Sequence, residues 1–178
     1  MTPHDILHFW FVENGPDQWF KKDEAFDEAI RERFLEIYKE ALADKTAAWR
    51  ATPEGRLAEI VVLDQFSRNM FRGTSRAFGA DEKALALAQE AVAQGDDLLV
   101  DPRRRVFFYM PYMHSESLDV HQQALPLFEK LGNESALSYE HAHRKILERF
   151  GRYPHRNESL KRASTPEEVE FLKIDAGF

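Results

Sequence analysis

Apolar residues recur along this chain at intervals of three and four, which is the spacing of amphipathic α-helices. The segment 23–43 shows the pattern most clearly. Its apolar face contains Phe26, Ile30, Phe34 and Ile37. No segment shows the strict alternation of polar and apolar residues that marks a half-buried strand. The pattern predicts an all-α protein.

Helix-capping residues and helix breakers divide the chain into about eight helices. A Thr-Pro or Asp-Pro pair opens several of them, since the first residue caps the helix and proline fits its first position. Glycines stand where others end. The predicted helices cover residues 2–11, 23–43, 52–71, 77–94, 102–110, 115–131, 135–150 and 164–173.

Two prolines stand inside the helical pattern. We expect Pro111 to break the fifth helix and Pro126 to kink the sixth, because proline lacks the N–H donor and clashes with the preceding turn. The short connections between helices favour antiparallel pairs. The sequence thus predicts a bundle of antiparallel helix pairs in a single domain over residues 1–178.

The composition narrows the classes of function. The 178 residues include no cysteine, which excludes disulfides, thiolate metal sites and a cysteine nucleophile. The net charge of −7 argues against nucleic acid as a partner, and no apolar run approaches the ~20 residues of a membrane span. The N-terminal residues lack the basic region of a signal peptide. We therefore expect a cytoplasmic protein that binds neither nucleic acid nor membrane.

Four stretches of the chain carry a family resemblance. They are WFKKDEAFD (19–27), LDQFSRNMFRG (63–73), FYMPYMHSE (108–116) and RFGRYPHRNESLKRASTPEEVEFL (149–172). In this order and spacing they resemble the bacterial family known as domain of unknown function 924. The resemblance implies a right-handed helical array like that of tetratricopeptide repeats (TPR-like), with no assigned activity. Ser67 stands where the family pattern has proline, and Lys161 where it has glycine; neither change removes a candidate functional side chain.

The third predicted helix carries two charged residues on its most apolar arc. Asp64 and Arg68 are four residues apart, so their side chains can pair on one helical face. Because burying an unpaired charge is costly, their position needs a reason. Two interpretations stay open: a structural ion pair, or an Arg68 that points into a pocket and is held in place by Asp64.

A histidine and a glutamate follow Pro111. If the helix breaks there, Ser115 caps the next helix and Glu116 favours its positive end. This interpretation gives no role to His114 or Tyr109, so a site is the alternative to a core or capping role.

The seventh predicted helix carries a second candidate histidine. His143 shares a face with apolar residues and should point inward, either as a satisfied core residue or as part of a site. Glu140 and Arg144, four residues apart, are expected to pair at the surface. Because histidine titrates near neutral pH, His114 and His143 are the candidates for a general acid or base.

The spacing of the histidines argues against a metal site. Residues two apart on a helix point in nearly opposite directions, so neither His114 with Glu116 nor His141 with His143 can chelate one ion while helical. A site assembled from separate helices by His114, Glu116 and His143 stays open. No nucleophile elbow and no nucleotide-binding glycine motif appears, and we expect no metal and no cofactor.

The segment 149–162 is basic in an otherwise acidic chain. Its polar side chains on irregular backbone, where binding residues often lie, are Arg152, His155, Arg156 and Asn157. Guanidinium groups bind carboxylates and phosphates through two parallel hydrogen bonds. The segment therefore either fastens the C-terminal helix or forms an anion site.

The leading hypothesis is a pocket that binds a small phosphate or carboxylate ligand. Its candidate residues are Asp64, Arg68, Tyr109, His114, Glu116, His143, Arg152, His155, Arg156 and Asn157. It requires Arg68 and Arg156 to converge within one cavity, in a binding protein or in an enzyme with a histidine acid or base. Full pairing of both arginines with carboxylates, with no cavity, would contradict it. The alternative is a TPR-like module that binds a peptide or protein in a groove, with the polar residues forming a structural network.

Overall fold

The helices predicted from the apolar pattern are present in the structure, a computed structural model that describes residues 1–174. No strand occurs among these residues, so the all-α prediction is confirmed. In chain order the helices are α1 (Pro3–His8), α2 (Pro16–Trp19), α3 (Glu24–Leu42), α4 (Pro53–Ile60), α5 (Ser67–Met70), α6 (Asp81–Gln94), α7 (Pro102–Met113), α8 (Leu118–Leu131), α9 (Glu134–Phe150) and α10 (Pro166–Ile174). Helix α7 packs on α6 and α8, and α8 packs on α9. None of the helices in this part of the chain has the length and apolar character needed to cross a bilayer.

A π-helical turn joins α4 to α5. This turn, Val61–Phe66, makes the predicted third helix continuous from Pro53 to Met70. A π-helical turn adds one residue to the regular spacing and is often found at functional sites. It contains Asp64, so the carboxylate of Asp64 projects from an irregular turn within a central helix.

The joined α4–α5 helix is the centre of the core. Every residue from Gly55 to Phe71 is buried except Arg68, which is partly exposed. Aromatic rings surround it, for example Phe34 at 4.7 Å and Trp10 at 5.5 Å from the ring of Phe66, measured between centroids. Burying one such side chain stabilises the fold by about 1.5–3 kcal/mol. The core therefore fixes the backbone that presents Asp64 and Arg68.

Helix α7 passes through Pro111, which corrects the predicted break. Pro111 lies near the C-terminal end of the helix, where the loss of one N–H donor removes a single intrahelical hydrogen bond. The helix continues to Met113, and His114 caps its C-terminus by donating its backbone N–H to Met110 O at 2.9 Å. Ser117, rather than Ser115, precedes α8.

Helix α6 also begins later than predicted. The predicted start was residue 77, but Ser75–Phe78 forms a separate 3-10 turn and the helix starts at Asp81. Its N-cap is Ala80, whose side chain offers no acceptor. The delayed start places the carboxylate of Asp81 in the first turn of α6.

A sharp turn after α9 brings the basic segment back into the molecule. Gly151 has a φ of 70°, in the left-handed region that glycine adopts at little cost, and ends α9. The 3-10 turn Pro154–Arg156 follows, with Tyr153 fully buried and Arg156 nearly so. The turn therefore directs Tyr153 and Arg156 toward the ends of α6 and α7.

Candidate functional site

The carboxylate of Asp64 orients the ring of His114. The two side chains come from the π-helical turn and the end of α7, and Asp64 Oδ1 lies 2.7 Å from His114 Nδ1. Because a carboxylate accepts, this nitrogen carries a proton and the neutral ring keeps its lone pair on Nε2. Asp64 Oδ2 accepts from the side-chain amide of Gln65 at 2.6 Å. A buried carboxylate that orients a histidine in this way is a recurrent arrangement in general acid–base catalysis.

The charges around this pair keep Asp64 ionised and His114 neutral. Burial raises the pKa of Asp64, but His114 and Arg68 outweigh it and hold that pKa at about 2. Burial and the Arg68 cation lower the pKa of His114, and Asp64 offsets only part of this shift. Near neutral pH the ring therefore has a lone pair available to accept a proton.

Two guanidinium groups meet on one carboxylate beside this pair. Arg68 binds Asp81 through two parallel hydrogen bonds, Nη1 to Oδ1 and Nη2 to Oδ2, both 3.0 Å long. Arg156 Nη1 donates to the same Oδ2 at 3.2 Å. Arg68 Nη1 also lies 3.1 Å from Asp64 Oδ1, which confirms the predicted ion pair. We call Asp64, Arg68, Asp81, His114 and Arg156 the central polar cluster.

Arg156 is held between two aromatic rings. Its guanidinium carbon lies 4.5 Å from the centroid of Phe78 and 4.7 Å from that of Tyr153. Nη2 donates to the backbone oxygen of His114 at 2.8 Å, whereas the buried Nε–H meets no acceptor within the described chain. Burial and the nearby Arg68 lower the pKa of Arg156. Arg68 and Arg156 thus converge, but on the Asp81 carboxylate, and neither lines the two surface depressions found along the described chain.

The central polar cluster reaches the surface at one edge. The side chains of Arg68, Asp81 and His114 are 19%, 18% and 12% exposed, whereas Asp64 is 1% exposed. With His114 neutral, two cations balance two carboxylates. A ligand could reach the edge of the cluster without unfolding the core, and a bound anion would shift this balance toward negative charge.

Three consecutive backbone carbonyls around His114 are bonded by three side chains. Tyr153 OH donates to Met113 O at 2.7 Å, Arg156 donates to His114 O, and His121 Nε2 lies 3.0 Å from Ser115 O. The donors come from α8 and from the turn after α9. Because each bond restrains a neighbouring peptide unit, the backbone position of His114 is fixed from several directions.

A second buried acid–histidine pair supports this arrangement. His121 Nδ1 lies 2.6 Å from Glu140 Oε1, and both side chains are fully buried. The other ring nitrogen, Nε2, lies 3.0 Å from both Ser115 O and Tyr153 OH. The second oxygen of Glu140 is buried without a hydrogen-bond partner in the described chain. The predicted surface pair of Glu140 with Arg144 is wrong, because Arg144 binds Glu148 at 2.9 Å instead.

His121 and Glu140 were not predicted as buried polar residues, although their positions in the apolar pattern of α8 and α9 indicate it. His121 precedes the buried Ala124 and Phe128 by three and seven residues, which places it on the apolar face of α8. Glu140 stands in the same relation to His143 and Leu147 on α9. A polar residue in register with an apolar face indicates a buried polar contact.

His143 points inward, as predicted, and lies next to the central polar cluster. Its ring centroid is 6.4 Å from that of His114 and 5.5 Å from that of Tyr153. Nδ1 donates to Tyr139 O at 2.8 Å, which corresponds to one tautomer of the neutral ring. Burial lowers the pKa of His143 to about 3.

Glu116 fastens the C-terminal segment. Its carboxylate binds both Nη atoms of Arg162 at 2.7 and 2.9 Å and accepts from Tyr153 N at 2.6 Å. Burial raises the pKa of Glu116, but these donors outweigh it and lower the pKa overall. Its predicted position at a helix start with Ser115 as cap is therefore wrong, because α8 begins at Leu118.

Arg152 and Asn157 bind α10 and its preceding loop. Arg152 donates to both oxygens of Glu168, each at 2.7 Å, and to Ala163 O at 2.8 Å. Asn157 donates to Ser164 Oγ at 3.0 Å and accepts from Arg162 Nε at 3.0 Å. These contacts match the alternative in which part of the basic segment fastens the C-terminal helix.

The remaining two candidate residues, Tyr109 and His155, lie at different distances from the central polar cluster. Tyr109 donates to Asp97 Oδ2 at 2.6 Å and packs on Phe128, so it belongs to the contact of α7 with α8 and with the 3-10 turn that precedes α7. His155 adjoins Arg156 and stacks on Tyr153, with 5.6 Å between ring centroids. His155 therefore lies beside the cluster and Tyr109 does not contribute to it.

No group of three metal-ligating side chains is placed for an ion within residues 1–174. The sequence left open a metal site formed by His114, Glu116 and His143. Both oxygens of Glu116, however, already accept hydrogen bonds from Arg162. Two surface depressions lie elsewhere, along α9 and where α9 meets α10, and no residue of the central polar cluster lines them.

The fold and the cluster together define an all-α protein with a partly exposed acid–histidine–arginine centre. A sequence model of a bacterial family of proteins of unknown function, DUF924, matches residues 6–176. The chain belongs to this family. A solved structure of a protein of unknown function from Agrobacterium tumefaciens, ATU0120, is similar to this chain, with 42% identity, 97% of each chain covered and a TM-score of 0.92. Among curated proteins, none matches the sequence significantly.

Proposed function

We propose that this protein binds a small anionic ligand at the exposed edge of the central polar cluster and that His114 exchanges a proton with the ligand. One observation carries the proposal: two arginines and an aspartate-oriented histidine converge at a single, partly exposed point. Guanidinium groups are the side chains best matched to carboxylates and phosphates.

The supply of hydrogen-bond donors supports an anionic ligand. Each guanidinium has five N–H groups, and here the guanidiniums of Arg68 and Arg156 share the single carboxylate of Asp81. The Nε–H of Arg156 is buried without an acceptor, which is costly in a native structure. A ligand oxygen that reached this group would satisfy it.

His114 supplies the proton chemistry of the proposal. The neutral ring accepts a proton when negative charge arrives nearby, since an added anion favours the charged form. Asp64 is ionised and stabilises the imidazolium that results. If the protein is an enzyme, His114 is the general acid or base, and Asp64 holds the ring in the required tautomer.

A structural network is the second candidate, and a specific observation favours it. Both Nη atoms of Arg68 and both Nη atoms of Arg156 already bind protein oxygens, including the backbone oxygens of Asp64 and His114. In that case the cluster would serve to fix α6, α7 and the turn after α9 against one another.

The peptide-binding hypothesis has less support. It requires a broad concave apolar surface, whereas the large exposed apolar side chains come from separate elements of the described chain. They include Val12, Phe20, Leu98, Leu99, Leu118, Tyr139 and Val169.

Binding measurements on one variant separate the two leading candidates. We expect Arg156→Gln to lose binding of inorganic phosphate and malonate in isothermal titration calorimetry, while Arg152→Gln, altered in the same segment but outside the cluster, keeps it. Loss of one hydrogen bond between charged groups should weaken binding about tenfold or more. No binding by the unaltered protein, together with a large fall in the melting temperature of Arg156→Gln, would favour the structural network.

A further inference from the structure

We infer that the Asp81 carboxylate occupies the place of a ligand carboxylate, so that a ligand binds by displacing Asp81 from the two arginines. This inference rests on the proposed function and narrows the ligand class to carboxylates. The Asp81 carboxylate therefore competes with the ligand for the guanidiniums of Arg68 and Arg156.

The contacts of Asp81 are those of a bound carboxylate. Both oxygens face the two terminal nitrogens of Arg68 at 3.0 Å, and one also accepts from Arg156 at 3.2 Å. Among the described residues, these two guanidiniums are the groups that donate to the Asp81 side chain. The carboxylate of a ligand, which has the same planar shape and the same two oxygens as the Asp81 side chain, would match this pair of parallel bonds.

Asp81 can leave the arginines without a change of fold. It is the first residue of α6, and its side chain is 18% exposed at the edge of the cluster. Rotation about its side-chain torsions would turn the carboxylate toward solvent. An aspartate in the first helical turn is stabilised there by the helix dipole, so the displaced carboxylate keeps a favourable position.

The arginines keep their positions when Asp81 leaves. Arg68 still donates to the backbone oxygen of Asp64 at 2.8 Å and pairs with its carboxylate at 3.1 Å. Arg156 still donates to His114 O and lies between the rings of Phe78 and Tyr153. A site whose donors are fixed before binding loses little conformational entropy when the ligand arrives.

Removal of the negative charge of Asp81 tests this inference. We expect Asp81→Asn to bind acetate and malonate about tenfold more tightly than the unaltered protein in isothermal titration calorimetry. Asp44→Asn is the matched control, because Asp44 also lies between two cations, Arg50 at 2.7 Å and Lys83 at 2.8 Å, but outside the cluster. The control changes the net charge equally and should leave the affinity unchanged.

The outcomes distinguish this inference from the proposed function. If the unaltered protein binds malonate and Asp81→Asn binds it equally or less tightly, Asp81 is a fixed part of the site and the inference fails while the function stands. If neither protein binds any of the probes, both fail. Should the variant not fold, carbon-13 NMR of the Asp81 carboxyl in the unaltered protein decides: a change on malonate addition supports displacement, and an unchanged signal at saturation overturns it.

Discussion

Two neighbours of His114 shift its pKa in opposite directions. Arg68 lowers it together with burial, whereas Asp64 raises it. We predict that Arg68→Gln raises the pKa of His114 and that Asp64→Asn lowers it further. Titration of the ring by NMR in the two variants and the unaltered protein measures both shifts. Shifts of the same sign in the two variants would contradict the described electrostatics.

The burial of His143 makes stability depend on pH. Its pKa is about 3 in the folded protein and 6.5 when the ring is unperturbed, so below pH 6.5 the unfolded chain binds the proton that the folded chain excludes. The free energy of unfolding should therefore fall with decreasing pH from 6.5 toward 3, by about 1.4 kcal/mol per pH unit for this residue. Urea unfolding at a series of pH values checks this.

His143→Asn is the comparison for this pH dependence. The variant should show a shallower fall in stability, with the remainder due to His114 and to carboxylates that protonate at lower pH. Equal slopes in the two proteins would show that another group controls the acid sensitivity.

At the residue scale, sequence reasoning identified single positions better than it identified partners. The pairing of Asp64 with Arg68 was predicted because both lie on one helix, four residues apart. Asp81 and the His121–Glu140 pair were missed, because their partners lie on other helices. A periodic pattern reports which face a residue occupies, but not which helix packs opposite that face.

At the element scale, the turn after α9 holds the end of α7 through Tyr153. Its hydroxyl donates to Met113 O, and the ring packs against Arg156 and His143. We predict that Tyr153→Phe lowers the free energy of unfolding by about 1–3 kcal/mol, since a buried carbonyl loses its partner. The NMR titration of His114 should also change, because its backbone is less restrained.

Tyr109→Phe provides the matched comparison. Tyr109 is also buried, and its hydroxyl binds Asp97 away from the cluster. This variant should lose a similar free energy of unfolding and leave the titration of His114 unchanged. A comparable effect of both variants on His114 would mean that the contact at Met113 O does not position the ring.

Helix boundaries were predicted well where a capping residue is unambiguous. Asp23 caps α3 through the backbone N–H groups of Ala25 and Phe26, and α3 ends within a residue of the predicted end. The helix break predicted at Pro111 was wrong, because the effect of a proline depends on its distance from the helix end, and tertiary contacts determine where the helix ends. The π-helical turn Val61–Phe66 has no distinct sequence pattern, although it sets the direction of Asp64.

At the scale of the whole molecule, the candidate site depends on contacts between distant segments. Arg156 and Asp81 are 75 positions apart, and Asp64 and His114 are 50 apart. Periodicity predicted the all-α class, and the family assignment and the similarity to ATU0120 agree with it. The TPR-like arrangement stays a prediction, as does the single domain over residues 1–178.

The central claim is that a small anion binds at this cluster and that His114 takes up a proton when it does. Isothermal titration calorimetry of malonate binding, repeated near neutral pH in two buffers of different ionisation enthalpy, measures proton uptake directly. We predict net uptake of a fraction of a proton per ligand in the unaltered protein and none in His114→Gln. Malonate brings two negative charges where Asp81 supplied one, and the additional charge raises the pKa of His114. Absence of binding, or equal proton uptake in the two proteins, would contradict this account.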